Sequence, residues 1–208
     1  MADQYLSAFA VDADALLAVA GSGDDRLVRR ALTAVGELRE GGRLLRVAGP
    51  GEAEPVLREL VAGRLDPALP SRYTGVLELL GPVLGESLGS AVLPGRGWDG
   101  LAGAFRAWGL VNLAGLWGRP WPFPWREAAP GHDPWPFPVL AGRAELDLIH
   151  EELAGFDPGG IDAGSAVLPG GEDDVEEAEW LLAELLPAWV DGARGRGCEL
   201  LLLRDGGR

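Results

Sequence analysis

Lysine is missing from this chain: all 18 of its basic residues are arginine. That removes Schiff-base catalysis and phosphate-loop lysine chemistry, both of which need a primary amine. Arginine alone, with glycine and alanine in excess, points to a GC-rich genome. Cysteine is almost missing too, since Cys198 stands alone. A single thiol forms no internal disulfide and no cysteine-rich zinc site, which fits a reducing cytosol. Histidine is limited to His132 and His150. Long apolar runs are also lacking near the start, where Ala15 to Ala20 is the longest and Met1 to Gln4 has neither the basic nor the apolar region of a signal peptide. A cytoplasmic protein with no membrane segment is expected.

What is present in quantity is negative charge, a net −14, and it is unevenly placed. Residues 145–184 carry thirteen carboxylates and no arginine, whereas the rest of the chain is close to neutral. Such a field repels phosphate backbones and attracts cations or a basic protein, so nucleic acid is not an expected partner. The plain alternative is a solvated helical face that keeps the protein in solution.

At 208 residues and 47% hydrophobic, the chain can bury one substantial core, and no long Ser- or Gly-rich linker divides it, so one domain over 1–208 is expected. Tyr5 to Val11 reads as a strand, with Asp12 capping a helix from Ala13 to Ala20. Periodic apolar residues predict helices from Asp24 or Asp25 to Glu40, Glu52 to Gly63, Arg72 to Leu80 with a possible resumption to Leu88, Trp98 to Trp108, and Ala144 to Ala154. A long last helix, Glu172 to Ala193, should be kinked by Pro187. Cys198 to Leu203 reads as a buried strand beside the first. The expectation is an α+β fold, mostly helical, with a small sheet pairing the N- and C-terminal strands. Gly89 to Gly95 recurs at Gly164 to Gly170, and both read as similar loops.

The order of these elements resembles an uncharacterised actinobacterial family of unknown function, itself reminiscent of the YfbM-like family. The residues that carry the likeness are Tyr5-Leu6-Ser7-Ala8-Phe9-Ala10-Val11-Asp12, Arg72-Tyr73 with Leu77-Glu78-Leu79-Leu80 ahead of Trp98, Pro136-Phe137-Pro138 before an acidic helix, and Ala193-Arg194-Gly195-Arg196-Gly197 before a strand. The resemblance implies an α+β fold and carries no activity with it. The doubled tryptophan motif of this chain departs from it.

That motif is Pro-Trp-Pro-Phe-Pro, at Pro120 to Pro124 and again at Pro134 to Pro138, within a Trp/Pro-rich segment spanning 117–139. Proline fixes φ and removes a backbone donor, so the segment should be neither helix nor central strand, while its rings must lie against something. Either the rings fill a gap between helices, or they form a platform for a sugar, a peptide or another domain. The candidate binding residues here are Trp117, Arg119, Trp121, Phe123, Trp125, Arg126, Trp135 and Phe137, with His132 beside them; Glu176, Glu177 and Glu179 are the candidates in the acidic helix.

Catalytic patterns are sparse. Gly85-Glu86-Ser87-Leu88-Gly89 matches the nucleophile elbow Gly-x-Ser-x-Gly, for which His132 or His150 would have to serve as base. Against it, the helical reading of residues 24–80 lacks the sheet of an α/β-hydrolase, and Ser87 is expected to have no histidine in reach. His150-Glu151-Glu152-Leu153-Ala154 falls one histidine short of a zincin helix, which leaves only Asp147 as a second ligand. Asp157 to Asp162, with Asp173 and Asp174, offers oxygen atoms without EF-hand spacing. Cys198 reads as a buried, inert thiol. No metal or cofactor is expected, and the functional expectation is an interaction module with a basic protein partner, of the acidic neutralising kind set against toxins. The alternative is a small serine hydrolase using Ser87.

Overall fold

Two apolar strands far apart in the chain form the centre of the structure. In the computed structural model, which describes residues 4–40, 50–93, 97–125, 136–157 and 172–206, strand β1 (Gln4–Val11) pairs antiparallel with strand β4 (Glu199–Gly206). Strand β2 (Gly85–Leu93) adds to the free side of β1 and strand β3 (Phe137–Ala141) to that of β4, giving the order β2-β1-β4-β3 with every neighbour antiparallel. Side chains alternate across a strand, so each central strand feeds two cores. Phe9, Val11, Leu201 and Leu203 enter the first core; Leu6, Ala8, Ala10, Leu200 and Leu202 enter the second. The leucine run of β4 is therefore buried on both faces, as expected of a continuous apolar strand.

Helices cover each face. The first core is closed by α1 (Ala13–Leu17), α2 (Asp25–Glu40), α3 (Pro50–Val61), α4 (Pro70–Gly75) and α5 (Leu77–Leu84). Their sequence stripes point inward: Leu27, Val28, Ala31 and Val35 from α2, and Val56, Leu57, Leu60 and Val61 from α3, are all buried. The second core is closed by α6 (Gly97–Ala107), α7 (Val111–Ala114), α8 (Arg143–Ala154), α9 (Glu172–Trp180) and α10 (Leu186–Gly195). The fold is α+β, and among the described residues no helix is long and apolar enough to cross a membrane.

In the following places the structure departs from the sequence reading most clearly. Helix α5 does not resume to Leu88; it stops at Leu84, and the next residues become β2. Gly85 makes the switch possible, because a Cβ there would sit 2.2 Å from the Ala10 carbonyl oxygen. The Gly89 repeat copy is thus mostly strand rather than loop, and the copy at Gly164 lies outside the described residues. The proline-rich segment ends in a strand, β3, but at the sheet edge, where Pro138 stands opposite Leu203. An edge position tolerates the missing donor. Finally, Pro187 is met by a π-helical turn, Leu181–Leu185, between α9 and α10: the Leu186 N–H reaches back five residues to the Leu181 carbonyl. One extra residue in the turn accommodates a proline that cannot donate to the carbonyl four residues back.

Candidate functional site

The Trp/Pro segment crosses from one core to the other. Leu116, in a short 3-10 turn (Leu116–Gly118), belongs to the second core, while Phe123 and Trp125 lie in the first. Their rings stack at 4.8 Å between centroids, Trp121 meets Phe123 edge-on at 5.4 Å, and Trp125 leans on Tyr73 at 6.2 Å. The polar edges are satisfied within the packing. The Trp121 indole donates to the Trp125 carbonyl at 2.6 Å, and the Trp125 indole donates to Thr74 Oγ1 at 3.1 Å. Phe123 and Trp125 are buried and Trp121 is half-buried. Arg119 forms an ion pair with Glu145 of α8, and burial lowers the pKa of its guanidinium. Phe137, in β3, lies beneath the Arg204 guanidinium at 4.9 Å. The Trp117 side chain, Arg126, His132 and Trp135 fall outside the described residues.

Ser87 is exposed on β2, opposite Phe9. A nucleophile elbow needs a strand running through a sharp turn into a helix. Here helix α5 runs into a strand, the reverse order. The two glycines of the motif have backbone reasons instead. Gly85 allows the close approach to β1, and Gly89 (φ +132°) sits at a bulge where Ala8 opposes Gly89 while Phe9 opposes Ser87. The intervening Leu88 is turned onto the second core, against the bare backbone of Gly192 in α10. His150 is committed elsewhere: its Nδ1 lies 2.9 Å from Asp191 Oδ1 across the α8–α10 contact. Asp147, its expected companion, accepts a hydrogen bond from Arg194 Nε at 2.8 Å. Among the described residues no group of three or more His, Cys, Asp or Glu side chains could hold a metal ion.

The acidic region divides into two populations. Some carboxylates are structural. Glu145 pairs with Arg119, Asp147 with Arg194, and Glu152 accepts the Asn112 and Leu113 amides at the start of α7. Others face outward, with Glu151, Glu176 and Glu184 exposed; Glu179 is half-buried, as is Glu177, whose Oε1 is enclosed. Between Glu176 and Glu184 lies Trp180, 38% exposed, one turn from each. This tryptophan is not part of the doubled motif, yet its exposure has a signal in the sequence. The inward stripe of the helix is Ala178, Leu181 and Leu182, and position 180 falls on the opposite side.

A cleft of about 400 Å³ opens where α8 begins and α10 ends, lined by Arg143, Asp147, Arg194, Gly195, Gly197 and Cys198. Arg143 Nε donates to Glu199 Oε1 at 2.9 Å, and Glu199 Oε2 accepts the Ala13 amide at 3.1 Å, tying α8, β4 and α1 together. Cys198 is half-buried at the wall, not enclosed in a strand as its leucine neighbours suggested, because β4 begins one residue later. No curated protein and no solved structure matches the chain. A family model matches residues 2–202, and the chain belongs to that family, described as a domain of unknown function (DUF7691).

Proposed function

We propose that the protein is a cytosolic interaction module that captures a basic protein partner on the outer face of α9 and the π-helical turn, in the manner of an acidic neutralising protein. The observation that carries this reading is Trp180, exposed between Glu176 and Glu184 on a helix whose other face is buried. Tryptophan combines a large apolar surface with an indole donor and is enriched among residues that dominate binding energy, while flanking carboxylates steer a cationic partner and set its approach rate. The all-arginine composition supports a GC-rich, actinobacterial source, and kinship with the YfbM-like family belongs to the same proposal.

The test is capture of basic proteins by the parent and by two variants. Replacing Glu176 and Glu184 with arginine should weaken capture and flatten its dependence on salt. The melting temperature should hardly move, since exposed charges contribute little to stability. Trp180→Ala should weaken capture without altering the salt dependence. Equal binding by parent and both variants would remove this face from consideration.

A further inference from the structure

We infer that the cleft beside Cys198 is a binding site for a small organic anion bearing a carboxylate or phosphate, held by Arg143 and Arg194. The two guanidiniums are positioned by carboxylates through one nitrogen each, Nε of Arg143 on Glu199 at 2.9 Å and Nε of Arg194 on Asp147 at 2.8 Å. Such a bond fixes the plane of the group and leaves its terminal nitrogens, whose fork matches a carboxylate or phosphate edge. Among the described residues the terminal nitrogens of Arg143 make no hydrogen bond, and Arg194 Nη1 lies 3.8 Å from Asp191 Oδ1. Asp147, Asp191 and Glu199 more than balance the two arginines, so recognition rests on the fork geometry of the guanidiniums and not on a net positive field, and the volume of about 400 Å³ suits a metabolite-sized ligand. This site is separate from the Trp180 face, and neither depends on the other.

Cys198 provides the readout, because it is the only cysteine in the chain and lines the cleft. Alkylation of the intact protein by iodoacetate, an anion, is compared with alkylation by neutral iodoacetamide. The ratio of the two rates should be about tenfold higher in the parent than in Arg143→Gln or Arg194→Gln, through pairing of the reagent's carboxylate with the guanidinium forks. Inorganic phosphate and succinate, each added at matched ionic strength, should slow both reagents in the parent and not in the variants, and the stronger protector identifies the preferred head group. Circular dichroism melts confirm that each variant is folded, and the protection arm needs only the parent. An unchanged rate ratio in folded variants, or no protection of the parent by either anion, overturns the assignment.

Discussion

Tyr73 carries a hydroxyl into the first core and leaves none of its bonding capacity idle. The group donates to Glu59 Oε2 at 3.0 Å and accepts the Asp66 amide at 2.7 Å, so one side chain from α4 closes the loop that follows α3. Burial, reinforced by the Glu59 carboxylate, raises the phenol pKa above its usual 10.0. The unfolded chain therefore releases this proton first, and its contribution to stability is whole below pH 10 and lost as pH rises toward the folded pKa. With Tyr5 replaced by phenylalanine, Tyr73 is the only phenol left, and its absorbance at alkaline pH should rise only above pH 10. Tyr73→Phe should cost about 1 to 3 kcal/mol in urea unfolding, because the Asp66 amide loses its acceptor. A cost near zero would mean that water replaces the hydroxyl. The sequence placed Tyr73 within a helix and gave no sign of these bonds, since its two polar partners are a backbone amide and a residue of the preceding helix.

At the scale of elements, β1, β4 and the longer helices were legible because each is a run of apolar residues at a single period. Strands β2 and β3 were not. The first is Gly-Glu-Ser-Leu-Gly-Ser-Ala-Val-Leu, in which two glycines and a bulge break the alternation, and the second contains a proline. Edge strands need few large side chains, so their pattern is weak. The same holds for the candidate site: the acidic helix stood out by its charge, whereas the cleft of Arg143, Arg194 and Cys198 brings together residues from α8 and the α10–β4 junction that no local pattern links. The Trp/Pro segment, conspicuous in sequence, contributes packing in its described part. Trp125→Ala should lower stability by about 3 to 5 kcal/mol, the usual cost of deleting an enclosed aromatic ring. Trp121→Ala should cost less, since that ring is half-buried. Thermal unfolding of the two variants decides the point, and equal losses would show that the stack of three rings fails as a unit.

Across the whole molecule, a net charge of −14 places like charges on a single small body. Self-repulsion opposes compaction, and salt relieves it. Raising salt from about 0.01 to 0.15 M shortens the Debye length from roughly 30 to 8 Å, so the melting temperature should rise over this range. A fall would mean that exposed pairs such as Arg196 with Glu86 and Arg58 with Glu54 outweigh the repulsion. The sheet order has another consequence, which concerns time. The central pair, β1 and β4, joins the first and last of the described elements to leave a ribosome. A growing chain can zip β1 to β2, yet it holds both hydrophobic layers half open until the four leucines of β4 emerge and slot between β1 and β3. Folding is thus deferred until β4 has been made, governed by the slow search that long-range strand pairing imposes, and a nascent chain halted before β4 is the form most exposed to chaperones and proteases.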